Sequence, residues 1–421
     1  MKRYIVFILF PIIVILLTGC NPTTHAHTPG EWTIQSEATC VNDGLQRCYC
    51  TECGEIVAEE PIKASHNFEV TAIAPTCTEK GYDRLECKVC GISTMNNFKN
   101  AIGHTTTKYD VINYDATATA DGSVYGTCSL CREYLKITLT GSSEKIAKAF
   151  YGKKISVIGD SISTYVNISN GAAAQTSNSN ISKNSLYYFK AHNEALGVNP
   201  DDTWWMRTIN ALGADLLVNN SDSGGYIRDS KSNGNKGAYY ENAVNLHDNT
   251  GADAGTNPDM VFVYLGTNDF GKYYNSLGDV SSIDFEKLGE KCEADYMPVT
   301  VAEAYAILIY KIKTAYPGVE IYCLNVLDST LWKTKSAYLS DFNARLGEIA
   351  ERLGATVVDI YNESGIKNDE NFEKYIPSND GDDTPNTLHP NAEGFKLISD
   401  VLLRVIANHS KYFPDIYKTN E

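Results

Sequence analysis

Lys154-Ile155-Ser156-Val157-Ile158-Gly159-Asp160-Ser161-Ile162-Ser163 is the stretch that decides the fold. Ile155–Ile158 is a short apolar run rich in β-branched residues, the texture of a strand buried on both faces. It stops at Gly159-Asp160-Ser161, a turn-forming sequence that leaves a serine at the strand's carboxyl end. Four further runs downstream have the same texture: Asp215–Asn219, Met260–Leu265, Glu320–Asn325 and Ala355–Ile360. Helical stripes separate them. Ala304, Leu308 and Ile312 with Tyr305 and Ile309 form one that ends before Tyr316-Pro317-Gly318, and Phe342, Leu346, Ile349 and Leu353 form another before Gly354. A last helix carries Phe395, Ile398, Leu402 and Ile406. Strands alternating with helices predict an α/β fold with a five-stranded parallel sheet.

Catalytic residues of such a sheet sit on loops at the carboxyl ends of its strands. After the first strand comes Gly159-Asp160-Ser161-Ile162-Ser163, and after the second Asn219-Asn220-Ser221-Asp222-Ser223-Gly224. Gly266-Thr267-Asn268-Asp269 follows the third, and Leu388-His389-Pro390-Asn391 precedes the last helix. A serine on a tight turn is exposed for attack, and a histidine brought to the same sheet edge takes its proton. Gly224 permits a close backbone N–H and Asn268 supplies an amide, two of the donors an oxyanion hole requires.

These four blocks resemble the GDSL/SGNH hydrolase superfamily over about 265 residues, from Lys153 to Tyr417. The resemblance implies a three-layer α/β/α, flavodoxin-like domain over residues 150–417 and carboxylic ester hydrolysis without a catalytic cofactor. It makes Ser161 the nucleophile, with its own N–H beside Gly224 and Asn268 in the oxyanion hole, and His389 the general base. The first block departs mildly, reading Gly-Asp-Ser-Ile where the family ends in Leu. A larger departure is Asn386, which stands three residues before His389 where the family carries Asp. An Asn carbonyl accepts the imidazole N–H but brings no charge, and a comparable Asp→Asn change in a serine protease costs about 10⁴ in turnover. Three explanations are open: Asp380, Asp382 or Asp383 orients the histidine, the site works as a Ser-His dyad, or catalysis has decayed.

Ten of the twelve cysteines precede residue 132, and their spacing repeats. His27 leads to Cys40 and Cys50-Thr51-Glu52-Cys53; His66 to Cys77 and Cys87-Lys88-Val89-Cys90; His104 to Ala118 and Cys128-Ser129-Leu130-Cys131. A glycine expected to form a turn follows each first position, at Gly44, Gly81 and Gly122. Residues 20–135 therefore read as three modules. A Cys-x2-Cys turn presents two thiolates to one tetrahedral ion, and a third Cys with a His completes a structural zinc set. The modules resemble the zinc-ribbon-like Cys/His repeats of bacterial surface proteins. The expected ligands are Cys40, Cys50, Cys53, His66, Cys77, Cys87, Cys90 and His104, with the fourth ligand of each set left open between neighbouring histidines. Disulfides are the alternative for an exported chain. Cys48 fits neither scheme.

The first twenty residues, MKRYIVFILFPIIVILLTGC, have the layout of an export signal: a basic start, an apolar run and small residues before Cys20. The run is short for a spanning helix and is broken by Pro11. Leu17-Thr18-Gly19-Cys20 resembles a lipobox, which implies a signal peptide over 1–19 and lipidation of Cys20. The expectation is an extracytoplasmic, membrane-anchored lipoprotein at the cell surface or in the periplasm, with the modules as a stalk or adhesion segment.

At 421 residues the chain has room for two or three domains, and 43% hydrophobic with 21% charged residues is a globular composition. The net charge of −16 would repel phosphate backbones, which argues against nucleic acid as a partner. The expected function is a surface-anchored serine esterase removing O-acyl groups, acetyl among them, from extracellular carbohydrate. The alternatives are a lipase-type esterase of lipid substrates and a non-catalytic carbohydrate-binding or adhesion protein on a degenerate hydrolase domain.

Overall fold

The computed structural model describes the chain except residues 1–24, 107, 167, 169–185, 189, 229–236, 249–253, 293–295, 333, 382–384 and 419–421. Cys20, Asp382 and Asp383 thus lie outside the described residues. Two compact units divide the chain, Met1–Thr105 and Thr106–Glu421. Among the described residues no helix is long and apolar enough to cross a membrane.

The first unit holds two antiparallel three-stranded sheets. β1 (Pro29–Ser36), β2 (Gly44–Cys50) and β3 (Ile56–Ile62) form one; β4 (Phe68–Ile73), β5 (Gly81–Cys87) and β6 (Ser93–Lys99) form the other. The repeat glycines do not act as left-handed turn residues here. Gly44 and Gly81 open β2 and β5 where the backbone passes against the preceding loop. A Cβ would stand 2.5 Å from Ser36 O at Gly44 and 2.8 Å from Ile73 O at Gly81.

In the second unit the third repeat forms β7 (Val111–Ile112), β8 (Ser123–Thr127) and β9 (Tyr134–Thr138). Spacing alone puts this repeat with the other two. Its side chains place it otherwise, because Ala116 and Val124 are buried in the same apolar cluster as Ile146, Trp204 and Ile406. The Tyr417 hydroxyl accepts the Ala116 N–H at 2.9 Å.

The large sheet follows the five expected runs: β10 (Lys154–Gly159), β11 (Asp215–Asn219), β12 (Met260–Tyr264), β13 (Glu320–Leu324) and β14 (Thr356–Val358). Its order is β11-β10-β12-β13-β14, and every pairing is parallel. β14 is shorter than its apolar run, because the Asp359 side chain accepts the Asn362 N–H and starts a short helix there.

Helices cover both faces. α1 (Ser142–Phe150), α2 (Lys190–Leu196), α3 (Trp204–Leu212) and α4 (Thr267–Tyr273) precede the long α5 (Val301–Ala315), α6 (Ser336–Arg352) and, after two short helices, the C-terminal helix Ala392–His409. Alternation along β12 shows the layering. Val261 and Val263 pack with α5 and α6, whereas Met260, Phe262 and Tyr264 pack with α1, α3 and the C-terminal helix. Thr300 caps α5 through the Glu303 N–H, and Asn391 caps the C-terminal helix through the Gly394 N–H. The result is the three-layer α/β/α fold, with the strand carboxyl ends on one edge.

Candidate active site and cysteine clusters

β10 ends in Gly159, where no side chain fits: a Cβ would lie 2.2 Å from Ser163 Oγ and 3.1 Å from Tyr264 O. The chain turns tightly there. Asp160 Oδ1 accepts the Ile162 N–H at 3.1 Å and opens a single 3-10 turn over Ser161–Ser163. The tight turn expected from the sequence forms, but Ser161 is buried on it and not exposed. Burial raises the Asp160 carboxyl to about 7, with the neighbouring Asp269 charge acting in the same direction.

His389 arrives from the loop before the C-terminal helix, with its Nε2 2.8 Å from Ser161 Oγ. The loop is pinned. Tyr188 Oη donates to Pro390 O at 2.7 Å, and the Asn391 N–H donates to Tyr375 O at 2.9 Å. Desolvation, with His192 nearby, lowers the imidazole to about 3, so it is a neutral base at ordinary pH.

Two other loops, those expected to supply oxyanion donors, are held together near this turn. The Asp222 N–H donates to Gly159 O at 3.2 Å, which docks the Asp222–Gly225 turn on the end of β10, and Gly224 holds a left-handed φ of 72° there. Asn268, in the first turn of α4, donates from Nδ2 to Gly225 O at 2.9 Å. That bond uses one of the two hydrogens of the Asn268 amide.

Asn386 does not do what its place in the sequence suggests. Its Oδ1 accepts the N–H groups of Leu388 and His389 at 3.1 and 2.9 Å, and its Nδ2 donates to Pro377 O and His389 O at 3.0 and 2.8 Å. All four bonds go to backbone, so Asn386 fixes the path of the His389 loop and leaves the ring to other contacts. Among the described residues no carboxylate hydrogen-bonds to the imidazole. Asp380 is buried and accepts the Tyr187 hydroxyl. The Tyr187 ring stacks on the His389 ring, with centroids 3.3 Å apart and planes 12° from parallel. No motif in the sequence marks Tyr187.

Cys40, Cys48, Cys50, Cys53, Cys87, Cys90 and Cys323 carry free thiols. Two clusters of the first unit have all donor atoms within 4.8 Å of one another: His25, His27, Cys50 and Cys53, and Cys40, His66, Cys87 and Cys90. Contacts of 3.4 Å from His27 Nδ1 to Cys53 Sγ and from His66 Nδ1 to Cys90 Sγ accompany 3.6 Å from Cys40 Sγ to Cys87 Sγ. Tetrahedral zinc with ordinary bond lengths sets its donors about 3.5–3.8 Å apart, so both clusters fit a metal ion. They correct the expected ligand sets. Cys40 belongs with the second Cys-x2-Cys and not its own, while His25 and His27 complete the first set; His25, part of a His-x-His pair, went unused in the sequence reading. Cys48 donates to Gly30 O at 3.2 Å.

The sequence profile of the GDSL-like lipase/acylhydrolase family matches residues 157–397, more than half of the chain. Among solved structures, a protein described as a GDSL-like lipase from Bacteroides ovatus is 22% identical, covering 61% of this chain and 99% of its own, with a TM-score of 0.41. A family two carbohydrate esterase from Clostridium thermocellum, solved with cellohexaose, is 19% identical over 62% of this chain and 65% of its own, with a TM-score of 0.34. No curated protein matches the chain.

Proposed function

The chain belongs to the GDSL-like lipase/acylhydrolase family and is a serine hydrolase of the SGNH type, and from that premise we propose that it is an exported, lipid-anchored esterase that removes O-acyl groups, acetyl foremost, from extracellular carbohydrate. The observation that carries the chemistry is the 2.8 Å contact between His389 Nε2 and Ser161 Oγ. Ser161 Oγ attacks the acyl carbonyl carbon as His389 Nε2 takes the hydroxyl proton. The carbonyl oxygen, now negative, is held by the N–H groups of Ser161 and Gly224 and the free amide hydrogen of Asn268. Collapse expels the alcohol, which takes the proton from His389. Water then attacks the acyl-serine, gives its proton to Nε2, and the acid leaves with Ser161 restored.

The transient imidazolium needs stabilisation that Asn386 does not give. Tyr187 offers it: the cation forms against the face of a ring whose hydroxyl donates to the Asp380 carboxylate, which enriches the ring in electrons. Asp380 thus acts on the histidine through Tyr187, and both are positioning residues.

Export and anchoring rest on residues 1–20 and on Cys20. Loss of labelled lipid incorporation in Cys20→Ser is the expected result, and membrane partitioning that survives this change would refute the anchor. The carbohydrate alcohol rests on that location and on the aromatic and cationic neighbours of the oxyanion loops, where Tyr226, Tyr273, Arg228 and Lys272 pack together. Polar aromatics of this kind suit a hydroxyl-rich alcohol better than a long acyl chain. The two cysteine clusters hold structural zinc, one as Cys2His2 and one as Cys3His. A panel of acetylated sugars and longer acyl esters run on the full chain tests the substrate. Acetyl-sugar preference is expected, Ser161→Ala should abolish turnover with little change in thermal unfolding, and unimpaired turnover in that variant would remove the mechanism.

A further inference from the structure

We infer that the ion at Cys40, His66, Cys87 and Cys90 is the bond that fastens the second repeat to the first. This deepens the zinc reading above and rests on it. Cys40 lies in the loop between β1 and β2, within the first repeat. His66 lies just before β4, and Cys87 and Cys90 flank the turn between β5 and β6, all in the second repeat.

Little else joins the two sheets. Hydrogen-bonded ladders run within β1–β3 and within β4–β6 and not between them. In the described part of this unit the buried apolar side chains are Cys48, Cys50, Cys77 and Cys87, all cysteines, while Trp32, Ile34, Ile56, Val70, Met95 and Phe98 are exposed. A three-stranded sheet with no apolar core beneath it cannot fix a neighbour by packing. Four bonds to one ion, drawn from both repeats, can.

The loop that offers Cys40 is built in advance. The Thr39 N–H donates to Asn42 O at 2.9 Å, and Thr39 Oγ1 accepts the Asn42 N–H at 2.9 Å, closing a tight turn around the cysteine. Asp43, next in that loop, accepts the Ala64 N–H at 2.7 Å and pairs with Lys63 at 2.8 Å, which brings the chain leading to His66 alongside. Ligand and linker therefore converge on one loop. The arrangement also gives the repeat frame a direction: the first cysteine of a repeat serves the repeat that follows. Ala118 occupies that position in the third repeat, and no fourth repeat follows it in the sequence.

The experiment uses the full chain as parent, Cys40→Ser and Cys48→Ser, with zinc measured by elemental analysis, intact mass for disulfides, and the rate of tryptic cleavage after Lys63. The expected result is one fewer zinc per chain in Cys40→Ser, or extraction of one ion by a chelator at least tenfold faster, with cleavage after Lys63 accelerated at least tenfold. Cys48→Ser, whose thiol only donates to Gly30 O, should match the parent in both readouts. Full zinc and full protection in Cys40→Ser would overturn the cross-link while leaving the zinc reading intact. Loss of the ion with protection unchanged would do the same, because the ion would then be present without fastening the repeats. A parent that contains no zinc, or a Cys40–Cys87 disulfide in its place, would overturn both readings.

Discussion

Replacing Asn386 with Asp restores the residue the family carries at that place, and the structure predicts harm from it. The Asn386 amide nitrogen donates to Pro377 O and His389 O, while its oxygen accepts two backbone N–H groups. A carboxylate keeps the two acceptor bonds, loses both donor bonds and turns an anion toward two carbonyl oxygens. Two net hydrogen bonds at about 1 kcal/mol each, plus the cost of buried acceptors left unmatched, come to about 3 kcal/mol. For a unit spanning Thr106–Glu421 that is a fall in Tm of about 4–5 °C. Because the lost bonds hold the His389 backbone, the imidazole shifts against Ser161, and turnover should drop by about 10². The introduced carboxyl is favoured protonated in the folded chain, so its folded pKa is raised and stability falls as pH rises through it; the Tm deficit should be larger at pH 8 than at pH 5. Thermal unfolding at both pH values, with turnover of an acetyl ester, is the assay. Unchanged Tm together with unchanged or higher turnover would refute the reasoning, since a carboxylate would then be reaching the imidazole.

Asp380→Asn and Tyr187→Phe should each lower turnover at least tenfold, with KM nearly unchanged, and move the acid limb of kcat/KM to lower pH, whereas Asp382→Asn and Asp383→Asn should not; the reverse pattern would hand the orienting role to those two carboxylates. With the His389 imidazole lowered to about 3, the parent should hold its kcat/KM plateau well below pH 6, and a limb at the ordinary histidine value would contradict the desolvated setting of the ring. Asp160, raised to about 7 by burial, keeps a proton in the folded chain that the unfolded chain releases between about pH 4 and 7. Stability should therefore decline with rising pH across that window, by at most about 4 kcal/mol. Asp160→Asn should flatten this slope in Tm measured from pH 4 to 8, and parallel curves would disprove it.

Which residues of the site can be read from sequence depends on how local their placement is. Ser161 and Asn268 are legible because each follows a strand whose apolar run ends in a glycine, and His389 because it precedes a capped helix. These positions are fixed by strand and helix boundaries that neighbouring residues set. Asn386 is legible as a departure from the family but not in its use, since whether an amide faces a ring or a backbone is settled by how an entire loop closes. Tyr187 leaves no trace in local pattern: it meets His389 across about two hundred residues of chain. The cysteine frame shows the same limit, with the Cys-x2-Cys pairs plain in the sequence and their partner Cys40 assigned to its own repeat.

The sequence by itself determined the parallel sheet, the order of its strands' catalytic loops, the serine-histidine chemistry and the existence of thiolate-rich repeats, because apolar periodicity and short motifs act over a few residues. Only the tertiary structure decided that the third repeat shares a core with the hydrolase domain, that Asn386 holds backbone while the Tyr187 ring lies on the histidine, and that Cys40 of one repeat stands among the Cys and His donors of the next. Those outcomes depend on which surfaces meet when distant segments pack, and the free energy of that meeting is carried by no single stretch of chain.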